Sequence, residues 1–261
     1  MINDLKNGYV QSHTEHGITS IEFFHPQSNS LPGKILDALA QEIHYAGNHD
    51  TKVVVLKSGG NGAFCAGASF DELLEIKNEE QGMEFFSGVA NVINAMRKCT
   101  KLIIGRIHGK CVGGGVGIAA AVDYAIAVRD AEVKLSELTI GMAPFVVGPA
   151  IKRKIGASAF SQLAIDSTLW RNSEWAKQKG LFAEVHQSVH DMDESVDRLA
   201  NSLAHFNPEA MAEMKKMFWH GTEDWDKLLK ERAAISGRLI LSDFAKYAIE
   251  TFKEKAKARR K

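Results

Sequence analysis

The sequence predicts an α/β protein on a largely parallel sheet, and three observations carry that expectation. Strand and helix signals alternate through the first two thirds of the chain. Two glycine-bearing loops each follow a buried-type strand, and the last third carries helical apolar stripes.

The elements read as follows. Gly8 to Gln11 and Ile18 to Phe24 are short strands joined by the turn Glu15-His16-Gly17. Pro32 opens a helix whose stripe is Ile35, Leu36, Leu39 and Ile43. Lys52 to Leu56 is a β-branched run suited to a strand buried on both faces. Gly59-Gly60-Asn61-Gly62 then forces a loop, and Asp71 to about Arg97 reads as one helix. Lys101 to Ile107 is a strand, followed by a glycine run and a small-residue helix, Val116 to Ala121. Tyr124 to Val128 and Glu132 to Leu135 are further short strands. Such a succession implies parallel pairing through right-handed crossovers.

From about Asp191 the chain turns helical, with stripes Val196, Leu199, Leu203, then Met211, Met214, Met217, then Leu228 to Leu241. These faces need a surface to cover, in the chain's own core or on a neighbouring subunit. No linker composition separates the parts, so the expectation is a body over residues 1–190 with a closely packed helical region over 191–261.

The bulk properties narrow the function. The 261 residues are 45% hydrophobic, enough for a sizeable core. Lys plus Arg and Asp plus Glu both number 32, so net charge gives no reason to expect nucleic acid. Cys65, Cys99 and Cys111 have no metal-like spacing, which suits reduced thiols inside a cell. The first residues lack a secretory pattern and no apolar run approaches the roughly 20 residues of a membrane span, so a cytoplasmic protein is expected.

Three segments are candidates for chemistry. Gly113-Gly114-Gly115-Val116-Gly117 lies between a strand and a helix, where glycines admit a ligand to the backbone and a helix N-terminus offers unpaired N–H groups. A phosphate, a carboxylate or a carbonyl oxygen that becomes negative suits such a place, as does mere tight packing of a small-residue helix. No Gly-Lys-Ser/Thr follows, and Ile118 stands where a dinucleotide fingerprint needs its third glycine. Ala63-Phe64-Cys65-Ala66-Gly67-Ala68-Ser69-Phe70 repeats the arrangement after an earlier strand. In a parallel sheet both loops meet at the carboxyl ends of the strands. The third segment, Ser136-Glu137-Leu138-Thr139-Ile140-Gly141, holds one acid in a mostly apolar stretch, either a surface turn carboxylate or an acid/base with a raised pKa.

Together, in this order and spacing, the three segments resemble the crotonase (enoyl-CoA hydratase/isomerase) superfamily, over nearly the whole chain from Asn29-Ser30-Leu31 onward. The resemblance implies a spiral of ββα units with C-terminal helices that assemble trimers, often paired into hexamers. It implies an acyl-CoA substrate, with CoA part of that substrate and no metal, flavin or nicotinamide as a cofactor. It assigns the oxyanion hole to the N–H groups of Ala66 and Gly114, and the acid/base to Glu137. Cys65, Gly67, Ala68, Ser69, Phe70, Gly113 and Gly117 are carried over as substrate-binding positions. Two departures stand out. Gly117 occupies the place of the second acid of the two-glutamate hydratases, and Ser69 replaces a common aspartate. Gly-Gly-Gly-Val-Gly-Ile with Leu-Ser-Glu-Leu-Thr-Ile-Gly-Met-Ala-Pro further resembles bacterial hydratases of branched, carboxylated enoyl-CoAs of the 3-methylglutaconyl type. Hydration through Glu137 is the leading expectation. Double-bond isomerisation by the same base comes second, and acyl-CoA binding without turnover third.

Weaker signals read blandly. His108 is expected as a hydrogen-bonded loop residue, Cys65 and Cys111 as packing, and the three methionines as core or subunit contact. The basic tail from Lys253 to Lys261 reads as a solvated helix end, with attraction of CoA phosphates as the alternative.

Overall fold

A computed structural model describes residues 2–5 and 8–258. Strands β1 (Ile2–Leu5), β2 (Gly8–Glu15) and β3 (Ile18–Phe24) form an antiparallel edge. The β2–β3 turn is two residues, His16 and Gly17, both with positive φ, as a tight primed hairpin turn demands. From β3 the sheet becomes parallel through β4 (Val53–Ser58), β5 (Leu102–Ile107), β7 (Tyr124–Val128) and β10 (Glu184–His186). The seven strands run in the order β1-β2-β3-β4-β5-β7-β10. A second sheet of three joins β6 (Cys111–Val112), β8 (Glu132–Lys134) and β9 (Arg171–Asn172).

Helix α1 (Gly33–Asn48) follows Pro32 and buries its whole predicted stripe. Where one helix is expected from Asp71, the chain makes two, α2 (Phe70–Glu75) and α3 (Glu79–Lys98). The Ser69 hydroxyl accepts the Glu72 N–H and Asn78 accepts that of Gln81, so each helix has its own N-cap and the break is built in. Helix α4 (Gly114–Ala121) is buried on nearly every side, which its Gly, Ala, Val and Ile residues allow. Helix α5 (Gly148–Ile165) bends at Gly156, whose φ is +77°, and α6 (Ser173–Gln178) leads to β10.

The helical third is α7 (Val189–Ala204), α8 (Pro208–Phe218), α9 (Trp225–Leu239) and α10 (Asp243–Ala258). Helix α7 covers β4, β5 and β7, while α9 lies along α3. These two cross at Gly82 and Gly237, where a Cβ on Gly82 would stand 2.6 Å from the Gly237 Cα. On α8 Met211 is buried, whereas Met214 and Met217 lie at the surface. The tail's side chains from residue 255 on lie outside the described residues.

Among the described residues no helix is long and apolar enough to cross a membrane.

Candidate functional site

The two glycine segments converge. Cys65 and Cys111 form a parallel bridge, the Val112 N–H donates to the Cys65 carbonyl at 2.9 Å, and a Cβ on Gly115 would collide with that same carbonyl. Gly67, with φ +88°, lies against the start of α4: a Cβ there would stand 3.6 Å from the Gly114 nitrogen. The first segment is fixed from behind by Asn29. Its amide donates to the carbonyls of Gly59 and Ala63, and its Oδ1 accepts the His25 N–H.

The direction of each N–H follows from the partners of its peptide. The Gly113 carbonyl accepts from Val116 and Gly117, so the trans peptide aims the Gly114 N–H the opposite way, out of the helix N-terminus. The Gly67 carbonyl accepts the Leu31 N–H at 2.8 Å, which by the same geometry turns the Ala68 N–H away from Leu31. Among the described residues, neither the Gly114 nor the Ala68 N–H has a hydrogen-bond partner. The Ala66 N–H, in contrast, donates to Ser28 O at 3.2 Å.

Glu137 opens a 3-10 turn, Glu137–Ile140, directly after β8. Its carbonyl accepts the Met142 N–H at 3.0 Å and the turn closes at Gly141, φ +74°, so the backbone beneath the carboxylate is held. The residue as a whole is half-buried, but its Oε2 is shut off from solvent and has no hydrogen-bond partner. That desolvation raises its pKa to about 7. A Cβ on Gly113 would lie 3.2 Å from Oε1, and Gly113 holds φ at +51°, so two constraints require glycine there.

Seven of the ten expected positions, Ala66, Gly67, Ala68, Phe70, Gly113, Gly114 and Glu137, line one cavity of about 650 Å³. The other three do not. Cys65 is fully buried behind the loop, with burial pushing its thiol pKa up to about 12. Ser69 is buried as the cap of α2. Gly117 lies beneath Val147: a Cβ would meet the Val147 side chain at 2.5 Å. Val147 lines the cavity in its stead, so the wall where a second acid is expected is apolar. Phe86, Val89, Met142 and Val146 are further apolar residues lining the cavity.

Sequence reasoning missed several lining residues. Trp170 and Lys134 border the cavity, and Lys253 meets it at another edge, where its ammonium pairs with Asp71 at 2.6 Å. Phe252 stacks on Phe70 at 4.8 Å between ring centroids. Only the basic character of the tail pointed toward Lys253. His108 corrects an expectation: its ring nitrogens are buried without partners, and burial, then the Arg106 charge, lowers its pKa.

The molecule is thus an α/β protein that brings two free backbone donors and one desolvated carboxyl to a single, mostly apolar pocket, an arrangement chemically able to hold a developing negative charge and to move a proton. The chain belongs to the enoyl-CoA hydratase/isomerase family, whose model matches residues 13–261. It is 25% identical over 242 residues to a probable enoyl-CoA hydratase of Bacillus subtilis, covering 92% of this chain and 93% of that protein. It is 26% identical to a peroxisomal Delta(3,5)-Delta(2,4)-dienoyl-CoA isomerase of Arabidopsis thaliana, covering 81% of this chain and 80% of the relative. The fold matches a solved enoyl-CoA hydratase of Bacillus halodurans with a TM-score of 0.85 at 20% identity, covering 93% and 99% of the two chains.

Proposed function

We propose that this chain is an enoyl-CoA hydratase that runs both proton transfers through Glu137. The observation that carries the reading is a desolvated carboxyl, its Oε2 unpartnered, in the cavity that the free Gly114 and Ala68 N–H groups also line. A carboxyl with a pKa of about 7 is available at neutral pH both as base and as acid.

In the forward direction the Glu137 carboxylate takes a proton from water as the oxygen attacks Cβ of the enoyl thioester. The electron pair of the double bond moves through Cα onto the thioester oxygen. The two N–H groups hold that enolate oxygen, and the carboxyl then returns its proton to Cα. The first donor is Ala68 rather than Ala66, because the Ala66 N–H is engaged by Ser28 O. Losing one such donor in other enzymes costs roughly 10²–10³ in rate. CoA enters as part of the substrate rather than as a resident cofactor, and the acyl group is of the branched or carboxylated type that the sequence suggests.

A second reading has its own observation. Val147 covers Gly117, so no second carboxylate faces the reacting carbons from that side. A double-bond shift needs only one base, which removes a proton at one carbon and returns it at another. Incubation with a trans-2-enoyl-CoA and, separately, with a trans-3-enoyl-CoA distinguishes the two. Loss of the conjugated-thioester absorbance from the former is expected. Conversion of the latter to the conjugated thioester, with no water addition, replaces hydratase by isomerase.

A further inference from the structure

One cation on the cavity wall has no counter-charge. Lys134, the last residue of β8, lines the cavity and makes no ion pair among the described residues. Its ammonium lies 5.4 Å from the centroid of the Trp170 ring, and Trp170 lines the cavity too. Lys110 approaches the same ring at 4.6 Å, but its charge is matched by Glu132 at 2.9 Å. The Lys134 charge alone is left over.

Its place along the cavity is fixed by the backbone. The Lys134 carbonyl accepts the Gly113 N–H at 3.0 Å, and a Cβ on Gly113 would lie 3.2 Å from the Glu137 carboxylate. Lys134 therefore sits at the reacting end, while Lys253 at another edge is neutralised by Asp71. The Glu137 carboxyl next to that carbonyl is raised in pKa by desolvation. The ammonium itself is placed by the Trp170 indole, a fellow lining residue of the cavity. A lysine held against an aromatic face still has N–H donors to spare for a ligand, in a surrounding drier than bulk water.

We propose that Lys134, positioned by Trp170, is the specificity-determining residue of this site and binds a carboxylate carried by the acyl group of the thioester. This rests on the acyl-CoA reading above and names the residue that selects the substrate. Phe86, Val89, Met142, Val146 and Val147 also line the cavity and suit hydrocarbon, so in this proposal the ammonium supplies the preference for a charged acyl end.

The test is an affinity measurement that needs no turnover. Titration calorimetry with the saturated thioesters glutaryl-CoA and valeryl-CoA compares chains of equal length with and without the terminal carboxylate. A charge-assisted contact in a partly dry site should favour glutaryl-CoA by roughly ten- to hundredfold. Lys134→Met, which keeps the stem and its contact with the indole, should erase that preference and leave valeryl-CoA binding unchanged. Lys134→Arg should keep much of it. Equal affinities for the two thioesters in the parent protein overturn the proposal, as does an equal loss of both in Lys134→Met. A glutaryl preference that vanishes in Lys134→Met upholds it even if no enoyl-CoA is hydrated, an outcome that would sink the hydratase reading alone.

Discussion

At the scale of single residues, Glu137 couples activity to stability with opposite signs. Its folded pKa of about 7 lies above the ordinary 4.5, so the folded state holds a proton that the unfolded chain releases. The contribution is fully present below the ordinary value and is lost as pH rises through the folded one. Across that window the desolvated carboxylate costs on the order of 2–3 kcal/mol. Glu137→Gln cannot ionise, so it should unfold at a higher denaturant midpoint than the parent at about pH 8 and at a similar midpoint near pH 4. A midpoint difference independent of pH would show that the carboxyl is solvated. The same variant should lose roughly 10²–10⁴-fold in turnover while keeping acyl-CoA affinity. In the parent, kcat/KM should rise with pH through a limb near 7 as the carboxylate forms. The glycines and Glu137 were legible because glycine between strand and helix, and an acid in an apolar run, are local patterns. The free N–H at Ala68 was not legible. Which N–H on that loop is free depends on Ser28 O and the Leu31 N–H, groups about 38 residues earlier that only the fold brings there.

At the scale of elements, the strands and α1 followed their apolar patterns, but the α2–α3 break and α5 did not. The break depends on the Ser69 and Asn78 caps, which stand inside an otherwise helical composition. Helix α5 buries a stripe of Ile151, Ile155, Ala159 and Leu163 but carries a left-handed Gly156 in its middle, which reads as a break in a helix. The crossing of α3 with α9 was equally invisible, because Gly82 and Gly237 lie 155 residues apart and each reads alone as a weak helix position. In the fold each is needed, since a Cβ on Gly237 would stand 2.5 Å from the Met83 nitrogen. Gly82→Ala should therefore destabilise by roughly 1–3 kcal/mol through overpacking, although alanine is the better helix former. Urea unfolding measures it, and an unchanged or raised midpoint would mean that the helices can separate without cost. Because α3 supplies Phe86 and Val89 to the cavity, the variant should also weaken acyl-CoA binding.

At the scale of the whole molecule, buried contacts cross the boundary drawn near residue 190. Lys215 on α8 reaches into the body and pairs with Asp123 at 2.9 Å, with both side chains at most 5% exposed. The same ammonium donates to Lys101 O at 2.7 Å, while Asp123 accepts the Ile103 N–H at 2.8 Å and the Trp219 indole at 3.3 Å. The helical third is thus bonded to the start of β5 and to the turn before β7, inside a continuous apolar core that runs from Val10 to Ala233. A buried pair of this kind contributes little against a well-packed apolar substitute, but removing one partner strands the other charge. Lys215→Met should cost roughly 3–5 kcal/mol, and adding Asp123→Asn should recover part of it. If body and helices form one unit, amides of β5 and of α8 in the parent should exchange hydrogen with the same opening free energy. In Lys215→Met both should fall together. Loss of protection in α8 alone, with β5 unaffected, would show that the helical third opens by itself and that residue 190 marks a real boundary in stability.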